Sequence, residues 1–266
     1  MEPLFGPFGI ALAFVWGALW GSFANVVIVR LPAGESLVRP ASHCVACGAA
    51  IRFYDNIPLI SFLLLRGRCR ACGASFSARY VLVELLLGAL SALVWWRAAF
   101  AGTLALALVR FVIEFLFLGT LVVLTFIDLE HMILPDRITL PGTVLFFALG
   151  FVEPEAPAWW HRLIGAAAGF GFVWLLAEAF QRLTGREGLG LGDGKLLAMV
   201  AALLGWQALP FTLFLGALQG LLVTVPRRIL TREKLLGVEI PFGPFLALAA
   251  AEYLFLAPTL WSLLRA

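Results

Sequence analysis

Apolar residues run along this chain in long blocks, and polar residues gather in the short gaps between them. Eight blocks stand out, at 8–29, 80–96, 104–127, 138–152, 162–181, 195–207, 210–226 and 242–264. Several approach the ~20 apolar residues that cross a bilayer as a helix. The pattern therefore predicts an all-α polytopic membrane protein with about eight transmembrane helices. Residues 195–226 pose a choice, since one helix of that length would be about 48 Å long at 1.5 Å per residue. That exceeds a hydrocarbon core of about 30 Å. Gly205, Trp206, Gln207 and Pro210 supply the break that makes two helices of it.

Composition agrees with the pattern. The 266 residues are 62% hydrophobic and 13% charged, with a mean hydropathy of +0.99, far more apolar than a water-soluble domain needs. Met1-Glu2-Pro3 lacks the basic start of a cleaved signal peptide, so the first block is expected to remain as a helix. The net charge of +3 gives no reason to expect a nucleic-acid partner. The placement of the cations is more informative. With eight spans, fifteen of the nineteen Lys and Arg fall in 30–79, 128–137, 182–195 and 226–240, all on one side. The positive-inside rule makes that side the cytoplasm. Merging the sixth and seventh helices would strand Arg227, Arg228, Arg232 and Lys234 on the wrong side.

The domain plan expected is a first helix (1–30), a cytoplasmic insertion (31–79) and a membrane part (80–266). The insertion holds all four cysteines, as Cys44-Val45-Ala46-Cys47 and Cys69-Arg70-Ala71-Cys72, with 21 residues between the pairs. A glycine follows each pair (Gly48, Gly73) and permits a tight turn. Four thiolates at this spacing suit tetrahedral zinc in a zinc-ribbon-like fold. A reducing cytoplasm disfavours the alternative of two disulfides. Four protein ligands leave no open coordination position, so the expected role is a staple for a segment too short to build a large core. No internal repeat is evident at this level of reading.

Two acids sit at the ends of apolar blocks. Asp128 lies in Phe126-Ile127-Asp128, and Asp193 lies in the glycine run Gly188-Leu189-Gly190-Leu191-Gly192-Asp193-Gly194-Lys195. The span count puts both at the same face. A pair of carboxylates sharing one proton can hydrolyse a peptide without a metal or covalent intermediate. Glycines 188, 190, 192 and 194 are expected to offer a bare surface along which an extended substrate lies. The blander alternatives are an N-cap role for Asp193 and an ordinary interfacial acid at Asp128. Asp136, after Pro135, reads as the N-cap of the fourth long helix. Glu130 and His131 read as solvated loop residues, and Arg110 and Glu114 as an i, i+4 pair. Of Glu84, Glu178 and Glu252, Glu84 is expected nearest the site.

Six stretches in this order resemble the type IV prepilin peptidases, the bifunctional prepilin leader peptidase/N-methyltransferases of the GxGD group of membrane aspartyl proteases. They are Gly21 to Pro32; Cys44 to Cys47 with Asp55-Asn56-Ile57-Pro58-Leu59; Gly67 to Gly73 with Arg79-Tyr80; Phe126-Ile127-Asp128 followed by Leu134-Pro135-Asp136; Gly190-Leu191-Gly192-Asp193 with Lys195; and Ile240 to Phe245. The resemblance implies catalytic roles for Asp128 and Asp193, substrate contacts at Gly190, Gly192 and Lys195, and metal ligation by Cys44, Cys47, Cys69 and Cys72. It also implies prepilin or pseudopilin substrates, each a short basic leader followed by an apolar helix, cut at the cytoplasmic face of a bacterial inner membrane. Methylation of the new N-terminus by S-adenosylmethionine follows from the same resemblance. No glycine-rich dinucleotide loop is present from which a binding site for that donor would be read. A rival within the class is a peptidase alone with a structural zinc domain. A rival outside it is an ion-coupled transporter, but transporters place their acids at the bilayer midplane between repeats.

Overall fold

A computed structural model describes residues 6–100, 102–153, 155–185, 190–231 and 240–265, with the side chains of 231 and 258–265 left aside. Its helices are α1 (Pro7–Arg30), α2 (Ile60–Leu64), α3 (Arg79–Ala98), α4 (Leu104–His131), α5 (Asp136–Leu149), α6 (Trp159–Thr184), α7 (Leu191–Leu204), α8 (Ala208–Thr231) and α9 (Gly243–Arg265). Every apolar block carries one long helix, and among the described residues there are two isolated β-bridges but no strand. Five helices are long and apolar enough to cross a membrane: α1, α3, α4, α6 and Ala208–Leu230 of α8. The chain is an all-α, multi-pass membrane protein.

By contacts the chain divides into two compact units, Met1–Val123 and Leu124–Ala266. In the first, α1 packs on α3 through small residues. Gly9, Ala13, Gly17 and Gly21 are buried every fourth residue on α1. A Cβ at Gly17 would stand 2.3 Å from Leu87 O, so the two backbones meet there. In lipid, with no hydrophobic drive between helices, such close approach supplies the packing. Ser91 Oγ donates to Ala13 O at 2.6 Å, and Asn25 Nδ2 to Tyr80 O at 3.0 Å. Arg110 pairs with Glu114 at 3.7 Å, as the spacing suggests, and Arg97 reaches the same carboxylate at 3.3 Å.

The second unit is organised around α7. Leu196, Leu197, Met199, Val200, Ala201 and Ala202 are fully buried, against α5, α6, α8 and α9. At 14 residues the helix spans only about 21 Å. It tolerates that because its neighbours, not lipid, surround it. Gly205, at φ +79°, ends α7 in a conformation other residues rarely adopt. That separates α7 from α8, as the sequence predicts. Arg162 on α6 is buried, with Nε donating to Pro157 O at 3.0 Å and Nη1 to Phe147 O at 2.5 Å. It satisfies carbonyls at the end of α5 and in the connection that follows.

Candidate active site

The last turn of α4 and the starts of α5, α7 and α9 lie together at one end of the second unit. Asp128, 5% exposed, is one turn from the end of α4. Its Oδ2 accepts the backbone N–H of Gly243, the first residue of α9, at 3.0 Å. A helix N-terminus carries unsatisfied N–H groups, and Asp128 satisfies one of them. Leu134 is the wedge that joins these elements. A Cβ at Gly192 would come 3.1 Å from Leu134 Cβ, and one at Gly243 would come 3.3 Å from Leu134 Cδ2.

Asp193 lies in the first turn of α7, whose N-cap is Gly190, not Asp193. Its backbone N–H bonds Gly190 O at 3.1 Å. No side chain caps this terminus, so the capping role considered for Asp193 is not what the structure contains. Among the described residues nothing donates a hydrogen bond to its carboxylate. Asp128 and Asp193 are within electrostatic reach of each other. Both acids thus sit at helix N-termini: Asp128 accepts the first N–H of α9, and Asp193 belongs to the first turn of α7.

Three expectations about this region change. Of the glycines expected to form a bare surface for an extended substrate, Gly192 and Gly194 are helical and Gly190 is the N-cap. Gly188 lies outside the described residues. Gly192 and Gly194 serve close packing, against Leu134 and against Val173 at 3.1 Å. Asp136 is the first residue of α5 and does not cap it; its carboxylate receives Lys195 Nζ at 2.5 Å. Glu130 and His131 are exposed but belong to the last turn of α4, not to a loop. Glu84, in the first unit, bonds the backbone N–H of Leu59 at 2.8 Å. Sequence reading missed Gly243 as a donor, because a backbone N–H leaves no mark in residue type. The Gly-Pro step at a helix start after Pro241-Phe242 was the available signal.

The four cysteines of the first unit form the second cluster. Their sulfurs all lie within 4.8 Å of one another, with Cys44 Sγ and Cys72 Sγ 3.8 Å apart. A tetrahedron with zinc–sulfur bonds of about 2.3 Å has edges of about 3.8 Å. The two halves repeat one turn. Cys44 N–H bonds Ala49 O at 2.9 Å and Cys69 N–H bonds Ala74 O at 2.8 Å. Gly48 N–H returns to Cys44 O, and Gly73 N–H to Cys69 O, with both glycines at positive φ (+72° and +71°). Backbone N–H groups of Cys72 and Ala71 pull the Cys69 thiol down to about 7, while Cys72 in the same cluster goes up to about 12. A bidentate Arg70–Asp55 pair, Nη2 to Oδ1 at 2.6 Å, ties the second turn to the 53–56 segment. Arg70 holds the Asp55 carboxyl below the usual carboxylate range.

Fold and site together define a multi-pass helical membrane protein with a carboxylate pair at its helix ends and a four-cysteine insertion. The chain belongs to the type IV leader peptidase family. That family's model matches residues 115–225, and the model of the bacterial peptidase A24 N-terminal domain matches residues 15–98. A prepilin leader peptidase/N-methyltransferase of Aeromonas salmonicida (strain A449) is 43% identical over 268 residues, covering 90% of this chain and 88% of its own. One of the same name from Dichelobacter nodosus is 39% identical over 279 residues, covering 93% and 92%. Another, from Pseudomonas putida, is 39% identical over 276 residues, covering 94% and 90%. No solved structure matches the chain.

Proposed function

We propose that this chain is a membrane aspartyl endopeptidase that removes the leader of type IV prepilins or pseudopilins at the cytoplasmic membrane face. It then methylates the new N-terminus, with S-adenosylmethionine as methyl donor. One observation carries the peptidase reading: buried Asp128, fixed by the Gly243 N–H, stands within electrostatic reach of Asp193 at converging helix ends. Such a pair holds one proton, because both members do not ionise cheaply together. In this reading Asp128, which accepts the Gly243 N–H, is the charged member and Asp193 the proton donor. Asp128 takes a proton from water as its oxygen bonds the scissile carbonyl carbon, and Asp193 gives its proton to the carbonyl oxygen. Asp128 then passes its proton to the amide nitrogen as the C–N bond breaks. Asp193 recovers a proton from the diol, leaving acid, amine and the original enzyme. The N–H groups of Leu191 and Gly192, at the start of α7, are placed to hold a substrate carbonyl. Lys195, paired with Asp136, is the substrate-side cation of this reading. Acids at helix ends, not at mid-span, support a peptidase over an ion-coupled transporter.

Cys44, Cys47, Cys69 and Cys72 would hold zinc in a closed, structural site that ties 31–79 into one module beside the peptidase part, 80–266. The sulfur spacing supports this assignment. The described residues contain no strand-to-helix nucleotide loop of the kind that holds such a cofactor; S-adenosylmethionine would supply the methyl group. The test incubates purified enzyme with a prepilin, with and without S-adenosylmethionine, and weighs the products by mass spectrometry. Wild type should give a cleaved product, and a methylated one when the donor is present. Asp128→Asn and Asp193→Asn should each abolish cleavage while inserting normally, since Asn keeps the shape but cannot exchange the proton. Near-normal cleavage by either variant refutes the two-carboxylate mechanism.

A further inference from the structure

The short helix α2 presents an apolar face that the site does not use. Ile60, Leu63 and Leu64, at i, i+3 and i+4, share one side and are 54%, 72% and 78% exposed. The opposite side is fixed: buried Ser61 donates to Tyr54 O at 2.9 Å and accepts Ile57 N–H at 3.1 Å. Exposed Arg66 and Arg68 follow within four residues. Neither has an acidic partner among the described residues. The insertion's acids are Glu35 and Asp55, and Asp55 is already paired with Arg70.

A hydrogen bond sets the depth of this face. The N–H of Leu59, at the start of α2, bonds Glu84 Oε2 at 2.8 Å. Glu84 is five residues inside α3, a candidate membrane span beginning at Arg79. At 1.5 Å per residue it lies about 7.5 Å along the span from its start. Segments that lie on a membrane bury their apolar face about 5–10 Å into the headgroup and acyl boundary. With the start of α3 taken as the edge of the span, this contact puts the start of α2 at interfacial depth.

We propose that residues 57–68 are an interfacial anchor, with Ile60, Leu63 and Leu64 in the acyl boundary and Arg66 and Arg68 on the phosphates of an anionic leaflet. The four-cysteine module then lies on the membrane surface instead of projecting from it. Arginines are suited to phosphate because of their planar donor fork. Leu59, held at φ +61° by the Glu84 contact, turns the chain into the anchor.

Two measurements test this on the full-length enzyme in nanodiscs of phosphatidylcholine with or without phosphatidylglycerol. Leu63→p-benzoylphenylalanine is irradiated and the adducts identified by mass spectrometry, with the same substitution at Leu93, 41% exposed on α3, as the lipid-facing control. The expected result is a lipid adduct at both positions, with the Leu63 adduct enriched by phosphatidylglycerol. An adduct at Leu63 to the protein's own peptides or to added prepilin, or none while Leu93 labels lipid, overturns the proposal. Hydrogen exchange of the 60–65 amides is the second measurement. Protection should rise with phosphatidylglycerol, and Arg66→Gln and Arg68→Gln should each remove roughly fivefold of that rise. Protection indifferent to both lipid charge and the two arginines refutes the phosphate contacts.

Discussion

At Gly243 a single added methyl group would stand 2.7 Å from Asp128 Oδ2 and 3.2 Å from its Cγ. Gly243→Ala therefore has to move either the carboxylate or the start of α9, and the N–H to Oδ2 bond is lost. A hydrogen bond to a charged group is worth about 1.5–3 kcal/mol, so cleavage should fall roughly 10- to 150-fold. Gly190→Ala is the comparison, because a Cβ there meets only Asp193 Oδ2, at 4.0 Å. If substrate lies along this position, Gly190→Ala slows cleavage while membrane levels and melting behaviour stay at wild type. Gly192→Val is expected to cripple cleavage too, but by displacing Leu134, so its loss should be accompanied by lower stability. The check is the cleavage rate of one prepilin at matched membrane levels. A wild-type rate for Gly243→Ala would mean that Asp128 does not need its helix-terminal donor. These contrasts mark what residue identity reveals. Two acids at the ends of apolar blocks were legible because a charge there is costly and leans functional. The donor to Asp128, 115 residues away, and the Lys195 partner, 59 away, follow no periodicity and had to come from the fold.

Element boundaries were legible where apolar blocks were long and hidden where a helix starts on glycines. The sixth apolar block is read as starting at 195, because glycine lowers helix propensity, yet α7 begins at Leu191. Close contact with Leu134 and Val173 outweighs that propensity. The insertion shows the reverse case. Cys-x-Ala-Cys-Gly-Ala recurs at 44–49 and 69–74, a repeat too short to stand out beside the apolar blocks, and each copy folds into the same turn. Two matched turns facing each other make a preformed four-sulfur site, so the purified protein should carry about one zinc per chain. Elemental analysis of protein prepared under reducing conditions without chelator checks this, and absence of metal contradicts it. Replacing all four cysteines with Ser removes binding energy that counts as folding energy for so small a module. Exchange protection across 31–79 should then be lost. Methylation should fall more than cleavage, since both aspartates lie in the other compact unit. Equal loss of the two activities would show that the module supports the whole enzyme.

For the whole molecule, the expected sidedness rests on where its cations fall along the chain. Arg97 and Arg162, assigned to the outer connections by span count, both have partners within the protein. Arg97 pairs with Glu114, and Arg162 is buried on the Phe147 and Pro157 carbonyls. Trp159, Trp160 and Trp206 gather at that end of the second unit, where His161 stacks on Trp160 and accepts Trp206 Nε1–H at 2.6 Å, as interfacial aromatics do. At the opposite end, where Asp128 and Asp193 lie, Arg182 and Arg227 are exposed. Arg182 pairs with Glu178 at 2.7 Å and Arg228 is buried, so pairing does not separate the two ends; the positive-inside rule weighs where cations fall, and fifteen of the nineteen fall on this side by span count. Alkaline phosphatase, active only after export, should therefore be inactive when fused after residue 186 or 235 and active when fused after residue 155. Arg182→Gln combined with Arg227→Gln and Arg228→Gln should raise the activity of the 235 fusion, while Arg162→Gln should leave the 155 fusion exported. Export of the wild-type 186 fusion would put Asp128 and Asp193 on the outer face, away from any leader retained in the cytoplasm.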